Sequence, residues 1–312
     1  MQKIVGIGET VLDIIFRDDR PQDAIPGGST FNALISLGRM MRKTPAGVPV
    51  QMVTEIGDDH IGDIIVGFME ENGVDTSAVT RNPGTQSHIS TAFLDSNNDA
   101  QYEFFKDHAN AGLSPEKVDS VSFAKDDIVL FGSYFAINPV IRDSVRGLLL
   151  KAREAGAVLY YDVNFRRNHR KDLDRTIGNI LENCRLADFV RGSDEDFLFL
   201  FGTDDGLTIY NEHIAPLCRN FIMTRGADPI EIYQGDNVMK VPVEPVETVS
   251  TIGAGDNFNA GFIYSLVQSG IGRESCGSLG LSEWTGLVRI ASRFSAAVCR
   301  SIRNYVDDTF TV

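Results

Sequence analysis

Short apolar runs alternate with amphipathic helical patterns along most of this chain of 312 residues. Strands are predicted where apolar runs are bounded by turn residues, and helices where apolar residues recur every three or four positions. Such alternation predicts an α/β fold, in which a mostly parallel sheet is covered by helices on both faces. The predicted strands are residues 3–8, 50–54, 127–131, 158–161, 189–190 and 221–224. The predicted helices are residues 30–41, 61–71, 139–155 (with a proline in its first turn), 173–183 and 284–301.

Two parts of the chain interrupt this alternation. Residues 11–16 follow the first predicted strand without an intervening helix, and residues 87–94 and 101–106 are predicted to form a hairpin around turn residues 95–99. Such strands do not fit easily between the helices of a parallel sheet. We therefore expect one domain, residues 1–312, with a small discontinuous β lid from about residues 11–26 and 86–108. The alternative is an ordinary β meander at the edge of the sheet.

The segment TIGAGD, residues 251–256, directly precedes a predicted helix. Apolar residues follow it at helical spacing, and Gly270 is placed to end the helix. The first N–H groups of a helix have no partner within it and lie at the positive end of its dipole, so this N-terminus is a candidate anion site. Gly253, Ala254 and Gly255 are predicted to donate N–H groups to a phosphate, because their small side chains let it approach.

Asp256 lies at the mouth of this predicted anion site. A carboxylate there repels a bound phosphate, so its expected use is to remove a proton from an attacking hydroxyl. A phosphate-binding loop beside a base predicts phosphoryl transfer to an alcohol. The alternative is structural: a tight turn followed by an Asp that only complements the helix dipole. The loop is no Walker A motif, because no Lys-Ser or Lys-Thr pair follows its last glycine.

Several polar or glycine residues follow predicted strands. Ligands of open α/β sheets bind outside the carboxyl ends of the strands, so we expect these residues to converge on one cleft. Carboxylate and amide groups suit sugar hydroxyls, because they accept or donate hydrogen bonds at paired positions. For Asn32 the alternative is a cap at the start of a helix. The residues concerned are Asp13, Gly27, Gly28, Asn32, Asp162, Asn164 and Asp256.

Four motifs resemble those of the PfkB/ribokinase family of carbohydrate kinases, in the family's order across nearly the whole chain. TIGAGD resembles the family's C-terminal signature, and GGSTFNA at residues 27–33, followed by Leu37 and Gly38, resembles its N-terminal signature. DVNFR at residues 162–166 resembles a strand end of its sugar-kinase members, and TRGA at residues 224–227 its nucleotide-contacting turn. The resemblance implies a ribokinase-like fold and an enzyme that phosphorylates a sugar with ATP and Mg²⁺.

The resemblance also implies roles for individual residues. Asp256 becomes the base, and residues 253–255 become the site of the transferred phosphate. The resemblance implies that the lid covers the sugar. It also implies that a homodimer can form through the lid. Sugar-binding roles fall on Asp13, Gly27, Gly28, Asn32, Asn164 and Arg166. Nucleotide-binding roles fall on Thr224, Gly226 and Thr251.

The expected acceptor is a primary hydroxyl of a small sugar. Fructose is favoured, because DVNFR resembles fructokinases more than adenosine kinases. Ribose and 2-keto-3-deoxygluconate remain alternatives, since pocket specificity rests on contacts that a sequence does not display. An alternative of another class is a non-catalytic sugar- or nucleotide-binding regulator on the same fold. A dinucleotide-dependent oxidoreductase is disfavoured, because residues 6–10 lack the third glycine of that fingerprint.

Three positions depart from the pattern of the family. Ser250 stands where an Asp usually helps to bind a monovalent cation, so the need for potassium is left open and a weaker dependence is expected. Asp196 or Glu195 takes the place of an acid that organises Mg²⁺ through water. Asp228 and Pro229 replace a common glycine, so the nucleotide side is expected to differ in shape.

The charge and cysteine content narrow the expected partners. A formal net charge of −14 argues against a nucleic-acid or anionic-membrane surface. The four cysteines are far apart and form no Cys-x-x-Cys pair, as expected for free thiols in a reducing compartment. The sequence contains no basic-then-apolar leader pattern and no apolar run of about eighteen residues. We expect a cytoplasmic protein whose partners are a small sugar and ATP.

Overall fold

The computed structural model describes residues 2–45, 47–94, 100–105 and 112–312. Short helical turns at Tyr134–Ala136, Arg167–Asp172 and Tyr210–Ile214 join the longer elements. The strands are β1 (Ile4–Ile7), β2 (Val11–Arg17), β3 (Arg20–Gly27), β4 (Val50–Gly57), β5 (Val74–Asp75), β6 (Val79–Asn82), β7 (Ile89–Leu94), β8 (Ala100–Phe105), β9 (Ile128–Gly132), β10 (Val158–Asp162), β11 (Phe189–Ser193), β12 (Asn220–Thr224), β13 (Ile230–Gln234) and β14 (Asn237–Val241). The helices are α1 (Ser29–Met41), α2 (His60–Glu71), α3 (Pro115–Ser120), α4 (Arg142–Glu154), α5 (Leu173–Leu186), α6 (Asp194–Phe201), α7 (Gly206–Ile209), α8 (Ala254–Gln268), α9 (Arg273–Cys276) and α10 (Leu281–Cys299).

A large sheet forms the centre of the fold. Within the described part of the chain its strand order is β14-β13-β12-β11-β10-β9-β1-β4-β5, and β6 also pairs with β4. The strands from β12 to β5 and the β4–β6 pair are parallel, whereas β13 and β14 add an antiparallel edge. The predicted α/β class with a mostly parallel sheet is therefore confirmed. The β13–β14 hairpin was not predicted, since most of β14 is exposed and lacks an apolar run.

Helices cover both faces of this sheet. Successive strand residues point to opposite faces, so each buried strand contributes to two cores. In β9, Ile128 and Leu130 pack with α1, α2, α8 and α10. Val129 and Phe131, between them in sequence, pack with α4, α5 and α6 on the other face. This arrangement places the ends of the parallel strands between two helical layers.

A second, four-stranded sheet lies apart from the large one, in the order β3-β2-β7-β8. It is the β lid that the sequence predicts, with β7 and β8 as its antiparallel hairpin. The predicted turn at residues 95–99 and the lid residues 106–108 lie outside the described residues. Strand β3 was not predicted as a strand, because it is polar and contains Pro21 and Pro26. Its place at the edge of the lid tolerates proline, which cannot donate to a ladder.

Two helix predictions need correction. The helix expected at residues 139–155 begins only at Arg142, so Pro139 is not in its first turn. Asn138 explains the delay, because its side chain accepts a hydrogen bond from the Val140 N–H at 3.0 Å and holds a turn before the helix. Helix α6 was missed, although Ser193 and Asp196 form a capping box at its start.

Helices α8 and α10 pack closely at Gly261. A Cβ atom placed on Gly261 would lie 2.7 Å from Cα of Ala291 and 2.9 Å from the Phe294 ring. Such a contact requires the helices to move apart. Gly286, on α10, is exposed, and a Cβ placed there meets nothing within 4 Å.

We expect Gly261→Ala to lower the free energy of unfolding by about 1–3 kcal/mol, the usual cost of overpacking a core. Urea unfolding monitored by circular dichroism measures it. Gly286→Ala is the matched control and should be neutral or stabilising by up to about 1 kcal/mol, because alanine favours the helix. Equal effects of the two substitutions would show that the α8–α10 contact tolerates a methyl group.

Candidate active site

A cavity of about 390 Å³ opens at the carboxyl edge of the large sheet, beside the lid. Seven of the residues predicted to form the site line it: Asp13, Gly28, Asn32, Asn164, Arg166, Gly253 and Asp256. The wall is completed by Glu9, Val11, Ser29, Thr30, Ser133, Tyr134, Asn168, His169, Lys171, Asp172, Ile252 and Asn304. The cavity therefore joins residues from both ends of the chain.

Asp256 and Asn32 contact each other in the wall of this cavity. The Asn32 Nδ2 group donates a hydrogen bond to Oδ2 of Asp256 at 2.8 Å, which ties the first turn of α1 to the first turn of α8. Burial, with a further contribution from the nearby Asp162 carboxylate, raises the pKa of Asp256 to about 6. Asn32 is not a helix cap, because Gly28 holds the cap position of α1 and Asn32 lies inside the helix.

The oxygen of the Asn32 amide has no partner among the residues that the structure describes. This Oδ1 atom is buried and accepts no hydrogen bond from them. Buried polar atoms without a partner are rare and costly, and they concentrate where a ligand supplies the missing group. Because Asn32 lines the cavity, this oxygen is suited to accept a hydrogen bond from a hydroxyl group of a bound molecule.

The glycine-rich loop forms the start of α8 as the sequence predicts. Gly253 adopts a left-handed conformation, with φ 75°, at the cap position. The Ala254 N–H already donates to the Thr251 carbonyl at 3.2 Å, so it is not available to a phosphate in the way that was predicted. Within the described residues, the N–H groups of Gly253, Gly255 and Asp256 have no acceptor. These three donors at a helix N-terminus can bind an anion.

Asp13 reaches the cavity from the lid rather than from the large sheet. It lies on β2, is 7% exposed, and its Oδ1 atom accepts a hydrogen bond from the Ser90 hydroxyl on β7. Burial raises the pKa of Asp13 to about 6, although Ser90 and Arg166 oppose this shift. Gly27, the last residue of β3, packs against the same carboxylate, since an added Cβ would lie 2.5 Å from its Oδ2. Gly27 thus supports Asp13 and does not itself line the cavity.

Two non-glycine residues with positive φ form the opposite wall. Ser133 has φ 53° and Asn164 has φ 36°, conformations that L-residues rarely adopt. Their side chains are joined, because Asn164 Nδ2 donates to the Ser133 hydroxyl oxygen at 2.6 Å. Strained residues of this kind cluster at functional sites, where the surrounding structure holds them. Ser133 was not singled out from the sequence.

Arg191 is a buried charged residue next to the site that the sequence reasoning missed. It stands opposite Asp162 in the β10–β11 register, and its Nη1 donates to Asp162 Oδ1 at 3.0 Å. Its Nη2 donates to the Thr224 hydroxyl at 2.6 Å, and a Cβ on Gly255 would lie 3.0 Å from either terminal nitrogen. One guanidinium therefore connects the ends of three strands with the loop of α8. The signal in the sequence is a charged residue next to an apolar strand run.

The two candidate metal residues differ in their solvent exposure. Glu195 is exposed, whereas Asp196 is 7% exposed and accepts a hydrogen bond from the Ser193 N–H at 2.7 Å. Burial and the Asp162 carboxylate raise the pKa of Asp196 to about 6. In the part of the chain that is described, no group of three or more acidic, His or Cys residues is arranged to hold a metal ion. A single buried carboxylate such as Asp196 suits a hard cation that keeps most of its waters and is held mainly by substrate phosphates.

The residues assigned to the nucleotide and to a monovalent cation lie outside the cavity. Thr224 ends β12, and Gly226 forms a turn after it with φ 56°. Thr251 is exposed in the loop before α8. The Ser250 hydroxyl accepts a hydrogen bond from the Ile252 N–H at 3.2 Å, so it is engaged in the loop itself. The roles of these residues stay predictions.

The fold is similar to that of solved sugar and nucleoside kinases. A fructokinase from Vibrio cholerae, solved with fructose, ADP and calcium ion, superposes with a TM-score of 0.80 at 21% identity and covers 97% of this chain and 94% of that one. Aminoimidazole riboside kinase from Salmonella enterica, solved with its riboside and an ATP analogue, gives a TM-score of 0.81 at 20% identity, with 97% and 95% covered. The ribokinase-like fold is therefore confirmed.

Sequence relatives give the class and the family. A fructokinase of Rhizobium leguminosarum bv. trifolii is 30% identical over 272 residues, which are 84% of this chain and 79% of that protein. A putative sugar kinase of Pyrococcus horikoshii is 24% identical, with 85% and 83% covered. The fold and these relatives define a sugar kinase. The chain belongs to the pfkB family of carbohydrate kinases, whose sequence model matches residues 1–304.

None of the helices in residues 2–45, 47–94, 100–105 and 112–312 is long and apolar enough to cross a membrane.

We expect Arg191→Met to lower the free energy of unfolding by about 3–5 kcal/mol, because it leaves the buried Asp162 carboxylate without its partner. Urea unfolding at pH 7.5 measures the change. Arg191→Met combined with Asp162→Asn should recover much of the loss, since both charges are then gone. The matched control is Arg273→Met, whose ion pair with Asp188 spans 3.3 Å but is more exposed and lies at the opposite edge of the sheet.

That control should cost less than about 2 kcal/mol. A loss of under about 1 kcal/mol for Arg191→Met, or no recovery in the double variant, would mean that Asp162 does not depend on Arg191.

Proposed function

We propose that this sugar kinase transfers the terminal phosphoryl group of ATP to a primary hydroxyl of a small sugar, with fructose as the favoured acceptor. The observation that carries the proposal is the Asp256 carboxylate, which borders the cavity, is held by Asn32 and stands beside unpartnered N–H groups at the start of α8. This arrangement combines a proton acceptor with an anion site within one helical turn.

Asp256 acts as the general base in this proposal. A sugar hydroxyl does not ionise at neutral pH, so a carboxylate within hydrogen-bond reach takes its proton as the bond to phosphorus forms. With a pKa near 6, Asp256 is ionised at pH 7 and is more basic than an ordinary aspartate. The hydrogen bond from Asn32 fixes the carboxylate at the border of the cavity, where an acceptor hydroxyl can reach it.

The start of α8 stabilises the charge on the transferred group. The N–H groups of Gly253, Gly255 and Asp256 supply fixed donors, and the Arg191 guanidinium beneath Gly255 adds positive charge to the same loop. When bound with the nucleotide, Mg²⁺ would neutralise charge on the phosphates, and Asp196 is proposed to hold it through water. Thr224, Gly226 and Thr251 are proposed to face the nucleotide.

The lid contributes a residue to the proposed sugar-binding part of the cavity. Asp13 projects from the lid strand β2 into the cavity, so closure of the lid brings a hydroxyl-binding carboxylate over the acceptor and excludes water. Exclusion of water limits wasteful hydrolysis of ATP. A homodimer formed through the lid is part of the proposal. An ATP-dependent reaction also fits the cytoplasmic location expected from the sequence.

The choice of fructose rests on similarity. The Rhizobium relative and the Vibrio cholerae structure are fructokinases, and the latter was solved with fructose. Ribose and 2-keto-3-deoxygluconate are the competing acceptors. The non-catalytic regulator is disfavoured because Asp256 and both loop glycines are present at the start of α8.

A panel of sugars tests the proposal. Release of ADP is measured with fructose, ribose, 2-keto-3-deoxygluconate, glucose and adenosine at fixed ATP and Mg²⁺. We expect the highest kcat/KM for fructose. A higher value for another sugar would correct the acceptor and keep the kinase. If the rate of ADP release is the same with each compound as without any, the proposal is wrong.

Replacement of the proposed base gives a second test. Asp256→Asn keeps the hydrogen bond with Asn32 but cannot take a proton, so kcat should fall by about 10²–10⁴-fold. Affinity for ATP, measured by calorimetry without sugar, should stay within about threefold, which controls for misfolding. Turnover within a factor of about three of the wild type would rule out the role of Asp256 as base.

The raised pKa values predict how the rate depends on pH. Asp256 and Asp13 both titrate near 6 and are active when ionised, so their function is present above this pH and is lost as the pH falls through it. We expect kcat/KM for the sugar to fall below pH 6 with a slope that approaches two in a logarithmic plot. Asp13→Asn should reduce that slope to one. A rate that stays flat from pH 7 to 5 would contradict both assignments.

A further inference from the structure

The segment that follows α10 returns to the cavity and places Asn304 in its wall. Asn304 is 4% exposed and lines the cavity together with Asp13, Gly28 and Gly253. It belongs to none of the motifs that identify the family and lies far in sequence from the lid. The residue is therefore a wall position that the sequence pattern does not reveal.

The backbone of Asn304 is fixed by α1 and α8. Asn257 Nδ2 donates hydrogen bonds to the carbonyls of both Asn304 and Gly253, each at 2.8 Å. The Val306 N–H donates to the Ser36 hydroxyl at 3.0 Å, and that hydroxyl donates to Asn257 Oδ1 at 2.5 Å. These contacts use main-chain groups of the segment, so they hold Asn304 in place without its side chain.

The side-chain amide of Asn304 makes no hydrogen bond with any residue that the structure describes, although more than nine tenths of the residue is buried. Its position relative to Asp13 follows from Gly27. A Cβ placed on Gly27 would lie 3.6 Å from Asn304 Nδ2 and 2.5 Å from Asp13 Oδ2. The amide and the carboxylate therefore flank the same glycine at the edge of the cavity.

An amide in this position is suited to a ligand. Asn304 lines the cavity and its amide makes no hydrogen bond to a described residue, so both of its polar atoms are available to a bound molecule. The amide can donate from Nδ2 and accept at Oδ1, whereas the neighbouring carboxylate only accepts. Together they match two adjacent hydroxyls of a polyol, one of which donates to each group.

We propose that Asn304 binds the acceptor and, with Asp13, determines which sugar hydroxyls the cavity accepts. This inference rests on the proposed function, because it assigns Asn304 to the sugar of that reaction. The competing assignment is to the phosphate of the nucleotide, since Gly253 also packs against Asn304: a Cβ on Gly253 would lie 2.8 Å from the Asn304 carbonyl oxygen.

Two substitutions test the proposal. Asn304→Ala removes the amide, and Asn304→Leu keeps a similar volume without polar atoms. We expect the KM for the sugar to rise about five- to fiftyfold in both variants, the range for an unpaired buried partner, while the KM for ATP stays within about twofold and kcat within about threefold. Because the side chain makes no hydrogen bond with the described residues, the midpoint of thermal unfolding should change little.

The matched control is Asn220→Ala. Asn220 is 2% exposed at the start of β12, and its Nδ2 donates to the carbonyls of Asp188 and Cys276 at 2.8 and 3.0 Å. Loss of these bonds should lower the unfolding midpoint without a change in sugar KM. Deoxy analogues of the best sugar then identify the hydroxyl. The analogue that lacks the hydroxyl bound by Asn304 should bind the wild type more weakly than the parent sugar does. The Asn304→Ala variant should bind this analogue and the parent sugar equally well.

Each other outcome overturns the assignment. A KM for ATP that rises as much as that for the sugar places Asn304 at the nucleotide. An unchanged sugar KM in an active enzyme makes it a structural residue, and only this inference then falls. If calorimetry and the ADP assay show that the wild type neither binds nor phosphorylates any sugar, the proposed function falls together with it.

Discussion

Buried negative charge at the carboxyl edge of the sheet is the constraint on which the rest of the site depends. Asp13, Asp162 and Asp196 are each less than 10% exposed, and the carboxylate of Asp256 lies close enough to Asp162 for that charge to raise its pKa. Removing a carboxylate from water is expensive unless partners compensate it. Each of these groups has such a partner in a hydroxyl, an amide, a main-chain N–H group or the Arg191 guanidinium.

These partners offset only part of the cost of burying the carboxylates, and the remaining cost favours catalysis. Burial leaves the pKa of Asp13, Asp196 and Asp256 near 6, so these carboxylates hold protons more readily than exposed ones. A base with a pKa close to the working pH combines a high ionised fraction with useful basicity. Clusters of shifted pKa values are typical of functional sites, and here three of them surround one sheet edge.

The surrounding backbone keeps the site rigid. Gly253 supplies the left-handed turn that starts α8, and the C-terminal segment packs against it. Ser133 and Asn164 hold strained conformations that their mutual hydrogen bond supports. Side chains fixed before the ligand arrives lose little freedom on binding, which favours both affinity and rate.

The sequence predicted those features that depend on local pattern. The alternation of strands and helices is visible because each buried strand needs a run of apolar residues, and the loop before α8 is visible because its glycines lie next to a periodic helix. The polar, proline-containing strand β3 and the exposed strand β14 lack that signal. They become strands because tertiary neighbours pair with them.

Long-range contacts explain the site residues that were missed. Arg191 gains its partners only when β10, β11 and β12 align, and its register opposite Asp162 is a property of the folded sheet. Asn304 reaches the cavity because Asn257 and Ser36, from two different helices, hold its segment. No spacing within one segment encodes either contact. Asp13, by contrast, was predicted, because it follows the first strand within the segment expected to form the lid.

Identification of the reaction product tests the central claim most directly. The protein is incubated with ATP and uniformly ¹³C-labelled fructose, and phosphorus and carbon NMR spectra follow the transferred group. The account predicts one phosphate monoester for each ADP released, with phosphorus coupling to a primary carbon of the sugar. Inorganic phosphate as the product in the presence of bound sugar, or an ester at a secondary carbon, would contradict it.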